Sequence, residues 1–113
     1  MLAVSLIVTS PAAADSLADA VEQRNDSAIA AQLKHDADPN AKQADGMTAL
    51  LWAVYHDDAA LAEKLIRAGA DVKAVNRYGV GALTLAATNG NAGLIRLLLQ
   101  EGADPNSTVA GGE

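Results

Sequence analysis

The residues able to do chemistry in this chain are few, and they are histidines and carboxylates. His56-Asp57-Asp58 sets an imidazole beside two carboxylates, the ligand types of a divalent cation. The other histidine, His35, belongs to a different segment, and no second run supplies the missing ligands. A solvated helix end is the better account of His56, and Asp57-Asp58 reads as a pair of capping residues, not as a general acid and base. Asp38, Asp71 and Asp104 recur at one fixed spacing. A carboxylate present three times in the same context is a loop-forming residue of a repeat. No G-x-S-x-G nucleophile and no phosphate-cradling glycine loop after a strand occurs. The chain has no cysteine, which removes thiol catalysis, disulfides and cysteine-based zinc sites. The expectation is a protein that is not an enzyme and that carries no cofactor and no metal.

The elements that position these residues repeat. Gly46-Met47-Thr48-Ala49-Leu50 through Gly69-Ala70-Asp71 returns 33 residues later as Gly79-Val80-Gly81-Ala82-Leu83 through Gly102-Ala103-Asp104. The same shift pairs Ala53 with Ala86, Leu61 with Leu94, Leu65 with Leu98 and Ile66 with Leu99. A period of this length means stacked supersecondary units, each of which needs its neighbours to bury its apolar face. Within a unit, a turn (Asp45-Gly46, Tyr78-Gly79) leads into a short Ala/Leu segment. A second break, at Asp57-Asp58 or Gly90-Asn91, leads into a longer one. Leu61, Leu65 and Ile66 share one helical face by their spacing. Gly69 and Gly102 then stand where a left-handed residue ends a helix. Each unit reads helix, turn, helix, extended loop. Asp58 and Asn91 are expected to cap the second helices, with Asn25 or Asp26 doing so in the first unit.

Composition agrees with this pattern. Half of the 113 residues are hydrophobic, yet only Trp52, Tyr55 and Tyr78 are aromatic, so the apolar content is mostly Ala and Leu. That mixture suits close-packed helices. The net charge of −6, with no basic stripe, argues against nucleic-acid binding by phosphate neutralisation.

These residues resemble the ankyrin repeat, whose pattern runs roughly D-x-x-G-x-T-P-L-H-x-A-A…G…L-L…G-A-D-x-N. Two stretches follow it closely: Gly46-Met47-Thr48-Ala49-Leu50…Gly69-Ala70-Asp71, and Gly90…Leu98-Leu99…Gly102-Ala103-Asp104-Pro105-Asn106. A weaker first unit ends in Ala37-Asp38-Pro39-Asn40-Ala41, with Asp36 where the other units have glycine. There, Ala28 and Gln32 occupy positions that are Leu in both later units, as a solvent-facing cap requires. The resemblance implies an all-α helix-turn-helix solenoid of about three 33-residue units. Gly81 departs from the pattern by replacing the Thr that starts the first helix, a loss of about 1 kcal/mol at a cap. Arg24 and Asp57 replace the glycine between the helices, a place that Asp tolerates better than Arg.

Met1 to Ala14 carries no charge; its apolar run, Pro11, and small Ala12 and Ala14 are the pattern of an export signal cut before Asp15. The alternative is an apolar terminal element packed on the array, in a cytoplasmic protein. The segment is too short to span a membrane. The division expected is therefore 1–14 as signal peptide, 15–44 as capping unit, 45–77 and 78–110 as full units, and 111–113 as the opening of another. On that division the array continues past Glu113, and Leu94 to Leu99 stay partly exposed without it.

What the resemblance implies about function is a concave surface for a protein partner, on a monomer when the array is whole; the signal pattern of Met1 to Ala14 adds the expectation of an extracytoplasmic setting, periplasmic or secreted. The alternative is the non-catalytic arm of a larger enzyme or sensor. Partners of such arrays meet the loop tips and the inner side of the first helices. Carried onto this sequence, the binding positions are Met47, Tyr55, His56, Arg77, Tyr78, Val80, Thr88 and Asn89. Tyr55 and Tyr78 serve either as contact residues or as covers for the helix–loop junctions. Trp52, beside Ala53, is expected to pack between units.

Overall fold

Helix starts in this chain are set by short polar side chains that replace the missing preceding turn. In the computed structural model, which describes residues 16–104, six helices follow one another: α1 (Leu17–Glu22), α2 (Asp26–Lys34), α3 (Ala49–Tyr55), α4 (Ala59–Arg67), α5 (Ala82–Asn89) and α6 (Ala92–Gln100). Asn25, Asp58 and Asn91 cap α2, α4 and α6, each accepting from the backbone N–H three residues on. Of the two candidates in the first unit, Asn25 is the cap and Asp26 lies in the first turn. Ser16 and Asp19 form a reciprocal capping box on α1. Thr48 caps α3 through its buried hydroxyl, whereas Gly81 gives α5 no side-chain cap, as its departure from the pattern implies.

Helix ends repeat as strictly. Arg24, Asp57 and Gly90 take positive φ between the two helices of each pair, and Asp36, Gly69 and Gly102 do so after the second helix. A left-handed non-glycine residue costs about 1–2 kcal/mol. Asp57 offsets part of this by accepting 2.7 Å from Asn91 Nδ2. Arg24, at φ 57° and exposed, has no such bond among the described residues. Arg24→Gly is therefore expected to stabilise the protein by about 0.5–1 kcal/mol, after the extra chain entropy of glycine is subtracted. Urea titration of both proteins checks it; a variant no more stable than the parent would show that the left-handed turn costs nothing here.

The helices stack in two layers, α1, α3 and α5 against α2, α4 and α6. Ala53 and Ala86 have no exposed surface, so neighbouring first helices approach through small side chains. Leu17, Leu50, Leu51, Leu65, Leu94 and Leu98 fill the space between the layers. The loops after α2 and α4 each fold into a hairpin, with Gln43 N–H donating to Met47 O and Asn76 N–H to Val80 O. Units are tied along the loops by Asn40, whose Oδ1 accepts from Asp71 N–H while its Nδ2 donates to Gly69 O.

The first unit differs where its sequence does. Leu65 and Leu98 are fully buried, but Gln32 in the same place is half-buried and its amide donates to Ser16 O at 3.4 Å. A groove of about 660 Å³ opens between α2 and α4 there, over Ile29, Leu33 and Leu61. At the other end, Leu94 and Leu98 are buried and Leu99 is exposed, so the uncovered part of α6 is narrower than the whole run from Leu94 to Leu99. The expected signal peptide at 1–14 and the opening unit at 111–113 lie outside the described residues.

Candidate interaction surface

Three rings gather at the C-terminal end of α3 because Trp52, Tyr55 and His56 stand at i, i+3 and i+4, neighbours on one helix face. Trp52 and Tyr55 meet edge to face with centroids 5.3 Å apart. Trp52 and His56 stack at 5.8 Å, and Tyr55 meets His56 at 5.5 Å. Tyr55 is 56% exposed, while Trp52 and His56 are half-buried. His56 Nε2 lies 3.2 Å from Glu22 O. A carbonyl only accepts, so Nε2 carries the proton in that bond.

One side chain from the hairpin fixes this group to the neighbouring unit. Trp52 Nε1 donates to Gln43 Oε1 at 2.7 Å. The two hydrogens of the Gln43 amide go to Asp19 Oδ1 at 2.6 Å and Glu22 Oε1 at 2.8 Å, both on α1. The Asp19 carboxyl is held below its ordinary pKa, first by the backbone N–H of Ser16 and then by the Gln43 amide, against the opposing effect of burial. Its charge is thus secure at neutral pH. On α5, Asn89 Nδ2 donates to Val54 O at 2.8 Å, bringing the end of that helix beside Tyr55, and Thr88 Oγ1 donates to Thr84 O.

The architecture of paired helices, hairpins and a 33-residue period is matched by a family model describing ankyrin repeats in three copies, over residues 17–109. The chain belongs to the ankyrin repeat family. Ankyrin repeats are generally protein–protein interaction modules and are typically non-catalytic. Among curated proteins, no match reaches significance. No helix among the described residues is long and apolar enough to cross a membrane.

Within this ankyrin array the eight sequence-derived contact residues do not form one patch. Tyr55, His56, Thr88 and Asn89 gather at the C-terminal ends of α3 and α5. Arg77 and Tyr78 form a second group at the hairpin tip, where the guanidinium lies 5.3 Å over the exposed Tyr78 ring. Arg77 N–H donates to Asp45 O, ahead of α3, so a helix of seven residues, about 10 Å, separates the two groups. Met47 is a correction. It is 7% exposed, in the core, with its sulfur accepting from Asn76 Nδ2 at 3.4 Å, so it supports the hairpin and presents nothing to a partner. Val80 is half-buried on the same hairpin.

Trp52 packs between units as expected, and part of its indole stays at the surface. The His56-Asp57-Asp58 run is spread over separate tasks: His56 bonds to Glu22 O, Asp57 accepts from Asn91, and Asp58 accepts from Leu61 N–H. Among the described residues, no three His, Cys, Asp or Glu side chains are placed to hold a metal ion.

Gln43, Asp19 and Glu22 are the site residues that the sequence alone did not single out. Gln43 stands one period before Asn76, a hairpin position in both units, and nothing in that equivalence signals its reach to α1.

Proposed function

We propose that this ankyrin array is a protein-binding module whose partner docks on the C-terminal ends of α3 and α5. The observation that carries this is Tyr55, a large aromatic side chain 56% exposed on a helix held from both sides by its neighbours. Exposed Tyr on a rigid scaffold is the residue type that dominates binding energy, because little rotamer freedom is lost on contact. The module acts by presenting this surface and does no chemistry of its own. The uncharged stretch from Met1 to Ala14 supports a setting outside the cytoplasm for that binding.

Substitution separates the two groups. Tyr55→Ala is expected to weaken capture of a partner by about tenfold or more, with thermal stability unchanged, and Tyr78→Ala by less. Affinity for a partner isolated on the parent protein, measured by calorimetry, provides the check. Binding within twofold of the parent for Tyr55→Ala would place the contact elsewhere on the array.

A further inference from the structure

We infer that the Trp52–Tyr55–His56 face takes an arginine side chain from a protein partner, an assignment that rests on the binding role proposed above. The face offers ring surface for a cation: Tyr55 is exposed and Trp52 and His56 are half-exposed, with all three centroids within 5.8 Å of one another. A guanidinium laid on such rings is attracted by their quadrupoles.

The adjoining wall carries the opposite charge. Asp19 and Glu22 project from successive turns of α1, and both their oxygens bond to the single nitrogen of the Gln43 amide. The two oxygens are thus no further apart than those two hydrogen bonds allow. Like charges spaced this way on a helix repel each other. Gln43 supplies only neutral donors. No lysine or arginine forms a salt bridge with either carboxylate, since Arg67–Glu63 is the ion pair among the described residues. Lys42 and Arg77 line the groove beside these carboxylates without pairing with them. Arg24 lines a separate crevice with His56, Asp26 and Asp58. Lys42 donates to Val75 O, and Arg77 lies over Tyr78.

An open groove of about 560 Å³ runs past Asp19, Glu22 and Gln43, with Asp45, Lys42 and Arg77 also on its walls. The walls thus carry three carboxylates against two cations, and an extended segment can reach Asp19 and Glu22. The chemistry selects arginine over lysine. A planar guanidinium stacks on a ring while its N–H fork meets two carboxylate oxygens, which a compact ammonium cannot do together.

Trp52 is the only tryptophan of the chain, so its emission reports this site directly. The test titrates the full chain with acetylated, amidated Gly-Arg-Gly-Arg-Gly and with its Lys and Glu counterparts. A saturable change in Trp52 emission is expected with the arginine peptide at millimolar concentration, weaker with lysine and absent with glutamate. Glu22→Gln, which keeps an acceptor for Gln43, should weaken the response roughly three- to fivefold, and Tyr55→Leu by a similar factor. Flat titration with the arginine peptide, an equal response to the glutamate peptide, or full response in Glu22→Gln overturns the assignment. If Tyr55→Ala impairs a captured partner while the arginine peptide leaves Trp52 unmoved, the cation assignment alone falls. If Tyr55→Ala binds that partner normally, the docking surface falls and the assignment with it.

Discussion

Gly46→Ala is expected to destabilise the protein by about 2–4 kcal/mol and to lower its Tm by roughly 10 °C or more. Two costs combine. Gly46 has φ 87°, where a side chain is strained whatever the space around it. A Cβ there would also lie 2.9 Å from the backbone nitrogen of Arg77 and 3.0 Å from the Cα of Asn76. Neither is the end of a flexible side chain, so the two hairpins must separate. That separation breaks the 2.9 Å bond from Arg77 N–H to Asp45 O that joins one unit's loop to the next. Gly90→Ala provides the control, because Gly90 is also left-handed, at φ 71°, but a Cβ there meets nothing within 4 Å. It should cost only the backbone strain, about 1 kcal/mol. Urea denaturation of the two variants measures the difference. Equal losses would mean that the hairpins do not hold each other through this contact.

The comparison also shows what kind of information the sequence carries. Asn25, Asp58 and Asn91, and the left-handed residues Arg24, Asp57 and Gly90, follow the period because every unit poses the same backbone problem at the same place. Caps and left-handed turns were therefore legible, and with them the helix pairs. The crowding at Gly46 was not. Gly46 and Gly79 look alike in sequence, since both make a turn, and which backbone lies against a turn is decided by the neighbouring unit. Met47 was misread for a related reason. Its register places it on a hairpin, but burial depends on whether its side chain turns outward or under Asn76. The site was hidden further by the repeat itself. Asp19 stands one period before Trp52, so alignment of the units treats the two as equivalents. In the fold both bond to Gln43. A period reveals what units share, and a binding surface is built from the positions where they differ.

Leu65→Ala should cost about 3 kcal/mol, the lower part of the range for a buried leucine cut back to alanine. Leu65 has no exposed surface and sits in α4, the second helix of the middle unit, so units on either side limit how far the site can collapse around the cavity. Ile29→Ala, in the end unit, should cost less, because Ile29 is 6% exposed and borders the groove between α2 and α4. The position matters more than the residue. In an array whose units contact only their neighbours, a weakened end frays while a weakened middle uncouples both sides. Trp52 lies in that middle unit, so its emission and far-ultraviolet circular dichroism can be followed together through urea. For Leu65→Ala the two signals should move to lower urea together. For Ile29→Ala, circular dichroism should begin to fall before Trp52 responds, because the substitution loosens α2 whereas Trp52 is tied through Gln43 to α1. A Leu65→Ala loss below about 1 kcal/mol would show that the layers are not held by burial at this position. Coincident transitions for Ile29→Ala would instead show that the first unit, despite Gln32 and Ala28, unfolds as one with the rest.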